Sequence, residues 1–244
     1  MVIASIGGDI LSRTIDHLNH GSIVPDEIIL VVPEIYADRI PQIEFSNLRF
    51  ELVNFMGQVA QRAHGFKLAK FDYVLQLDDD IQVHHTCVEH LLRAISVLGA
   101  GHSVGPSISF LGSDQSIYTT YTGLKGLINN FKAFILSGAP WGVRRMGMIS
   151  NVGSGFGIDT AKVSEELIQT QWLAGGCVLH QKENLVKENY FPYHGKAYAE
   201  DLIHSIILTR ASIKLFVVIS ATCFIEKPIL NISSYSLNGD YRVR

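Results

Sequence analysis

Short apolar runs alternate with helical patterns along the first hundred residues of the chain. The apolar runs at residues 2–6 and 27–32 are closed by glycine or proline, and the residues between them repeat apolar side chains at helical spacing. Because strands that alternate with helices form βαβ units, this rhythm predicts an α/β fold built on a mostly parallel sheet in three layers. The predicted strands span residues 2–6, 27–32, 48–53, 73–77 and 103–110, and the predicted helices span residues 10–18, 57–69 and 86–98.

The rhythm breaks after Leu111. Residues 112–160 are rich in glycine, serine and aromatic residues and give mixed signals, whereas regular patterns return with Trp172–His180. A helix from about Ala199 to Ala211 and a strand over residues 214–220 complete the predicted elements. No repeat or linker divides the chain, so we interpret residues 1–244 as one domain. Its parts are a first half with a pattern like that of nucleotide-binding folds (1–111), a more irregular second half (112–230) and a peripheral tail (231–244).

Composition limits the classes of protein that fit this pattern. Hydrophobic residues make up 47% of the chain and charged residues 18%, so there is enough apolar surface to exclude intrinsic disorder. The net charge of −3 offers no basic excess, so we expect no nucleic-acid partner. The longest apolar run, residues 215–225, is too short to span a membrane. Three scattered cysteines favour a reducing compartment, and we expect a cytoplasmic protein.

Three aspartates follow the fourth predicted strand directly. Asp78, Asp79 and Asp80 come immediately after YVLQL, where an open α/β sheet presents its ligands. Three adjacent carboxylates repel one another unless a positive group meets them, and hard divalent cations take carboxylate oxygens. The triplet therefore predicts a metal site. The alternative is an acidic turn that caps the following helix.

Two further groups of charged residues are candidates for chemistry. Glu200 and Asp201 open the last predicted helix, where acids also complement the helix dipole without any further role. Arg62 lies in GQVAQRAHG and either pairs with a phosphate at that helix or is a solvated surface arginine. Arg144 and Arg145 would suit a phosphate on a second substrate, although a plain surface pair is the favoured interpretation.

Four segments, in their order along the chain, resemble family 2 glycosyltransferases, which have the Rossmann-like glycosyltransferase A-type fold. They are IASIGGDILSRTIDHL, GQVAQRAHGFKLAKFDYVLQLDDD, WLAGGCVLHQKENL and AEDLIHSIILTRASIKLFVV. Each segment is a weak signal alone, and their order and spacing together carry the resemblance. It covers most of the chain.

The resemblance implies a role for each matching residue on the donor side. Asp78 and Asp80 match the ends of the family's Asp-x-Asp motif, which holds Mn²⁺ or Mg²⁺ and touches the ribose and diphosphate of the donor. Asp80 is then the more direct metal ligand. The other residues implied to lie against the nucleotide sugar are Ile6, Gly7, Glu34, Arg62, Asp79, Gly175 and Gly176.

The resemblance implies that residues 112–230 are the acceptor-binding and catalytic half. In that half, Asp201 would be the catalytic base, and Glu200 would hold the acceptor or orient the base. The implied reaction moves a sugar from a nucleoside-diphosphate sugar to a hydroxyl of a glycan or lipid-linked acceptor. It is a metal-assisted single displacement with inversion, of the kind used in polysaccharide biosynthesis. Two positions depart from the family pattern. Glu34 follows Pro33 where many relatives place a base-reading acid or amide, and residues 220–222 lack a histidine that some relatives use for the metal.

Alternatives remain at this point. A nucleotidyltransferase would share the sheet and the metal, but it needs a basic glycine-rich loop, and Gly7-Gly8 is followed by Asp9. A phosphatase of the haloacid dehalogenase type places its aspartates on the first strand, and a catalytically inactive binding module would keep the fold alone. The apolar stretch at residues 124–148 is interpreted as core or a subunit interface of a homo-oligomer. Peripheral contact with the inner face of the cell membrane is the less favoured alternative.

Overall fold

The computed structural model describes residues 1–113, 115–137, 146–195 and 197–226. Within these residues the chain forms nine strands and five α-helices. The strands are β1 (Val2–Ala4), β2 (Ile28–Pro33), β3 (Leu48–Val53), β4 (Tyr73–Asp78), β5 (Gln82–Val83), β6 (His102–Phe110), β7 (Leu167–Thr170), β8 (Cys177–Gln181) and β9 (Lys214–Ile225). The helices are α1 (Asp9–Asn19), α2 (Gln58–Leu68), α3 (Cys87–Leu98), α4 (Gly123–Ser137) and α5 (Glu200–Arg210).

All nine strands belong to one sheet, with the order β3-β2-β1-β4-β8-β6-β9-β5 and with β7 paired to β9. Strands β3, β2, β1 and β4 run parallel, as the alternating pattern predicted. Strand β8 enters between β4 and β6 and runs antiparallel to both. The α/β class is therefore confirmed, and the sheet is parallel in its first half and mixed in its second.

Helices cover both faces of the sheet and make the three layers. Alternate residues of β1 point to opposite sides, because successive side chains of a strand do so. Ile3 belongs to the large core that α1 and α3 complete. Val2 belongs to a smaller core on the other face, where Phe66 of α2 packs. Each buried strand therefore contributes to two cores, which explains its nearly continuous run of apolar residues.

The second half holds one long helix that the sequence pattern did not predict. Helix α4 lies within the stretch 112–160, and several of its apolar side chains are exposed, so the interpretation of this segment as simple core is wrong for the helix. No helix among the described residues is long and apolar enough to cross a bilayer. Arg144, Arg145 and the tail 231–244 lie outside the described residues.

Candidate active site

The sheet brings the ends of β1 and β4 together at one edge. These strands are parallel neighbours, with Ala4 opposite Asp78, so the loops that follow them leave the sheet side by side. Gly176, just before β8, accepts a hydrogen bond from the backbone N–H of Asp78 at 2.8 Å. This places the Asp78–Asp80 triplet beside the glycine pair Gly175-Gly176.

Arg62 links the two acidic motifs of the chain. One terminal nitrogen of its guanidinium donates to Asp78 and the other donates to Oε1 of Glu200. Asp78 ends β4 and Glu200 begins α5, so a residue of α2 joins elements that are 122 positions apart (200 − 78). The structure therefore gathers Arg62, Asp78 and Glu200 into one charged cluster.

The cluster is buried. Arg62 is only 2% exposed, so the alternative of a solvated surface arginine is wrong. Burial by itself disfavours its charge, but Asp78 and Glu200 outweigh this effect and raise the pKa of Arg62. In this geometry both ends of the guanidinium bind carboxylates. The implied contact of Arg62 with the nucleotide stays a prediction.

Glu200 has both carboxylate oxygens engaged. Its Oε1 accepts from Arg62, and its Oε2 accepts the hydroxyl proton of Tyr190 at 2.6 Å. The residue is 4% exposed. Burial, followed by the charge of Glu200, raises the pKa of Tyr190, so this phenol stays protonated as a donor. Both oxygens of Glu200 are therefore occupied by partners within the protein, and its implied role in holding the acceptor or orienting the base stays a prediction.

A neutral histidine layer supports Tyr190. The ring of His204 stacks on the Tyr190 ring with a 5.5 Å centroid distance, and His180 packs edge-on against His204. Burial, with a smaller effect of Arg62, lowers the pKa of His204 to about 3. Burial and His204 also lower the pKa of His180. Both rings are therefore uncharged near neutral pH, which suits a position behind a buried cation.

His204→Phe is expected to reduce the loss of stability in mild acid. The folded pKa of about 3 lies below the unfolded value of 6.5, so the unfolded state binds the extra proton between them. The contribution of His204 is complete above the unfolded pKa and is lost as the pH falls, by up to about 1.4 kcal/mol per pH unit. Phenylalanine keeps the stack on Tyr190 and removes the titration.

The measurement for this prediction is the free energy of unfolding by urea at several pH values from neutral down to about pH 5. His204→Phe should show a shallower decline than the wild-type chain. His85→Gln, which changes an exposed histidine, should keep the wild-type slope. Parallel curves for wild type and His204→Phe would contradict a neutral buried His204.

Asp201 differs from its neighbour Glu200. It is partly exposed, and one of its oxygens accepts the backbone N–H of Leu202 at 2.9 Å. Burial, and then the nearby charge of Glu200, raise the pKa of Asp201, while backbone hydrogen bonds from Leu202 and Gly175 oppose this shift. A carboxylate that is accessible and more basic than usual is suited to accept a proton.

The glycine pair allows the acidic motifs to approach each other. A Cβ on Gly175 would lie 2.7 Å from Oε1 of Glu200 and 3.2 Å from Cβ of Asp201. A Cβ on Gly176 would lie 3.5 Å from Oδ2 of Asp78. The side-chain amide of Gln76 donates a hydrogen bond to the carbonyl oxygen of Gly175. The implied contact of both glycines with the donor sugar stays a prediction.

The three aspartates of the triplet have different surroundings. Asp78 accepts from Arg62 and also from Nε2 of Gln58 at 3.1 Å. Asp79 accepts the hydroxyl proton of Ser5. Asp80 is exposed, at the outer end of the triplet.

This donor set fits a hard divalent cation, which commonly takes one or two carboxylates and completes its shell with phosphate and water. Among the residues that the structure describes, no group of three or more His, Cys, Asp or Glu side chains is arranged to hold a metal alone. Asp80 is the accessible candidate ligand. Asp78 would have to share an oxygen that Arg62 already binds.

The loop after β1 is closed by a short 3₁₀ helix, Glu34–Arg39, that follows β2. Gly7 has a φ of +78°, and a Cβ there would lie 2.7 Å from the backbone oxygen of Arg39. Ile6 lies in the same loop and is partly exposed, and Glu34 is exposed at the start of the 3₁₀ helix. These residues share the edge of the sheet with Asp78. Their contact with a nucleotide stays a prediction.

Four residues that hold the site were missed by sequence reasoning. Ser5, Gln58, Gln76 and Tyr190 are ordinary polar residues in unremarkable local sequence, and each acts by bonding a partner outside its own strand, helix or loop, between 10 and 99 positions away. One available signal is burial: a glutamine in the middle of the apolar strand YVLQL needs a hydrogen-bond partner. The position of that partner depends on the fold.

Comparisons with known proteins agree with this fold. The crystal structure of GalNAc-T7 with UDP, GalNAc and Mn²⁺ is similar, with a TM-score of 0.60, 14% identity, and coverage of 94% of this chain and 43% of that one. The structure of TarS 1–349 from S. aureus matches with a TM-score of 0.53, 13% identity, and coverage of 92% of this chain and 59% of that one. The chain thus spans about half the length of these solved relatives. The likeness confirms the glycosyltransferase A-type fold.

The family follows from the sequence itself. The family model described as glycosyl transferase family 2 matches residues 8–149, which is more than half of the chain. The chain belongs to glycosyltransferase family 2, as its four segments indicated. No curated protein matches it. The family match includes Arg62 and the aspartate triplet and ends before Gly175 and Asp201, so the second half of the site rests on geometry.

Proposed function

We propose that the chain is an inverting glycosyltransferase that moves a sugar from a nucleoside-diphosphate sugar to a hydroxyl group of a glycan or lipid-linked acceptor. The observation that carries the proposal is the position of Asp201. It is an accessible carboxylate with a raised pKa, beside the glycine pair that joins it to the aspartate triplet. Family membership supports a sugar transfer, and the geometry supports a single displacement.

In the proposed reaction, Asp201 accepts the proton of the acceptor hydroxyl as that oxygen attacks the anomeric carbon. The new bond from oxygen to carbon forms while the bond from that carbon to the β-phosphate oxygen breaks. The electron pair leaves with the nucleoside diphosphate. One displacement inverts the anomeric centre and needs no nucleophile from the protein. This agrees with a described site whose carboxylates Asp78 and Glu200 are bound by Arg62.

A divalent cation, Mn²⁺ or Mg²⁺, would be held at Asp80 and Asp78 and would neutralise the charge that develops on the leaving diphosphate. Arg62 would help to position this cation, because it binds the carboxylate of Asp78. The solved relative GalNAc-T7 was crystallised with UDP and Mn²⁺, which supports this cation and a nucleotide donor. The residues Ile6, Gly7 and Glu34 are proposed to border the nucleoside.

A cytoplasmic, reducing location is part of the proposal. Cys87, Cys177 and Cys223 are free and buried in the same core. Hydrogen bonding to Cys223 and Cys87, together with burial, raises the pKa of the Cys177 thiol, so Cys177 lies beside both of the other thiols. Thiols this close that stay unpaired are typical of reducing compartments.

The experiment that tests the proposal begins with a thermal-shift panel of nucleotide sugars in the presence of Mn²⁺, which identifies the donor by its stabilisation of the chain. Release of nucleoside diphosphate from that donor is then measured with candidate acceptors. Stabilisation together with release supports the transferase. Stabilisation without release with any acceptor favours the inactive binding module, and no stabilisation by any nucleotide sugar contradicts the proposal.

Asp80→Ala is expected to weaken the Mn²⁺-dependent binding of UDP or GDP by about tenfold or more, because the cation loses its accessible carboxylate. Isothermal titration with and without Mn²⁺ measures this loss. Asp72→Ala is the matched control, since Asp72 is exposed and lies at the opposite end of β4. Equal affinity of wild type and Asp80→Ala would remove Asp80 from the metal site.

A further inference from the structure

Helix α4 turns its apolar side toward the solvent. Its large apolar residues recur at intervals of three and four positions, so they lie on one face of the helix. The opposite positions, Gly126, Asn129, Asn130 and Ala133, are buried or partly buried. An ordinary surface helix has the reverse arrangement. The exposed residues form the apolar stripe of α4: Leu124 (74%), Leu127 (55%), Ile128 (47%), Phe131 (51%), Phe134 (47%) and Ile135 (59%).

All charged residues in α4 and in the sequence around it, residues 115–158, are basic. Helix α4 contains Lys125 and Lys132 and no acidic residue. The sequence from residue 115 to residue 158 contains no Asp or Glu at all, although the whole chain has a net charge of −3. An apolar stripe flanked by lysines is the pattern of helices that lie in the interface of an anionic bilayer.

A groove beside the stripe has the polarity of the headgroup region. It is open, has a volume of about 260 Å³, and is lined by Tyr121, Lys125, Ile128 and Asn129. An ammonium, a phenol and an amide border an exposed isoleucine there. Phosphate oxygens and the first carbons of an acyl chain are the groups that such a border accommodates together.

A second copy of the chain fits this face less well. A twofold contact presents the same patch on both partners, so the lysines of one α4 would meet those of the other. Like charges at an interface lower the affinity, and α4 has no acidic residue that could form an ion pair with these lysines. Anionic lipid supplies the opposite charge and the apolar phase at the same time.

We propose that α4 is an interfacial helix that docks the chain onto an anionic phospholipid bilayer, with its apolar stripe at the acyl boundary and Lys125 and Lys132 at the phosphates. The docking does not depend on the proposed sugar transfer. The docking would nevertheless bring the bilayer close to the candidate active site. Tyr118, whose ring packs edge-on against Trp172, lies five residues before α4. Five residues span at most about 18 Å, so the bilayer would lie near the strand that leads to Gly175.

The test is co-sedimentation of the full chain with vesicles of phosphatidylcholine alone or mixed with phosphatidylglycerol. We expect binding to the mixed vesicles that weakens as salt is raised. Leu127→Ser/Phe131→Ser/Ile135→Ser should lower the binding constant by about tenfold or more, because three apolar side chains no longer enter the bilayer. Val97→Ser, at a 77% exposed position of α3, should bind like wild type.

The lysines are tested separately. Lys125→Gln/Lys132→Gln should lose about tenfold or more in binding to the anionic vesicles, since each cation near the surface contributes about fivefold. Lys67→Gln/Lys214→Gln removes two exposed lysines elsewhere and should keep wild-type binding. If both pairs lose binding equally, the attraction is a general charge effect and the proposed docking face is wrong.

A direct readout of depth uses an environment-sensitive fluorophore at Phe131→Cys, compared with the same label at Val97→Cys. The native thiols are buried and should label slowly. On anionic vesicles the emission at position 131 should rise and shift to the blue, and that at position 97 should not. No change at 131, or a lipid-free dimer that the triple serine variant abolishes while vesicle binding persists, would overturn the proposal.

Discussion

Asp201→Asn is expected to lower the turnover of sugar transfer by about 10²–10⁴-fold, which is the usual contribution of a positioned general base. Asparagine keeps the size of the side chain and can still receive the backbone N–H of Leu202. It cannot accept the proton of the acceptor hydroxyl. The affinity for the nucleotide should change little, because the donor is expected at the aspartate triplet.

Steady-state rates with the donor found in the thermal-shift panel measure this effect, and titration with UDP or GDP checks that donor binding is retained. Glu89→Gln is the matched control, since Glu89 is a first-turn acid of α3, away from the site. Its rate should match that of wild type. The pH profile adds a second readout: because the pKa of Asp201 is raised, activity should fall with acid at a higher pH than an ordinary aspartate would allow. A variant within a few-fold of wild type would exclude Asp201 as the base.

Arg62→Ala is expected to lower the free energy of unfolding by about 3–5 kcal/mol, the usual cost of breaking a buried ion pair by removing one partner. Two carboxylates, on Asp78 and Glu200, would lose their common cation in a site that is largely closed to water. For a chain of this size, such a loss lowers the melting temperature by about 10 °C.

Thermal and urea unfolding measure the change. Arg93→Ala is the matched control, because Arg93 pairs with Glu89 on an exposed helix face, and an exposed pair contributes about 1 kcal/mol or less. Arg62→Lys should recover only part of the stability, since one ammonium group does not reproduce the fork that spans both carboxylates. A melting temperature of Arg62→Ala close to that of Arg93→Ala would contradict the central role of Arg62.

The parallel part of the fold was predictable from sequence because burial on both faces leaves a strong local signal. Strand β3 has the predicted bounds, and β2 and β4 differ from theirs by one residue at each end or less. The aspartates at the end of β4 were predictable for the same reason: a charged triplet after a buried strand must lie at the edge of the sheet. The local sequence pattern was sufficient for features that depend on a single strand, such as its bounds and the position of the residues that follow it.

Other features depend on contacts between distant residues and could not be predicted in that way. The bond from Arg62 to Glu200 joins residues 138 positions apart. The sequence of β8 shows that it is buried but not that it enters between β4 and β6. The periodicity of apolar residues predicted no helix in the mixed stretch 112–160. Even if the apolar stripe of α4 had been recognised, the sequence would not show that this face of the helix is exposed, because exposure depends on what α4 packs against.

The insertion of β8 has a consequence for synthesis of the chain on the ribosome. Strands β1 to β4 can pair as soon as they emerge, but the free edge of β4 must wait about 100 residues for its partner, Cys177–Gln181. At ordinary translation rates this interval is about 5–20 s. An unpaired strand edge can associate with other chains during that time. Yield of the folded protein should therefore depend on expression rate and temperature more than its final stability suggests.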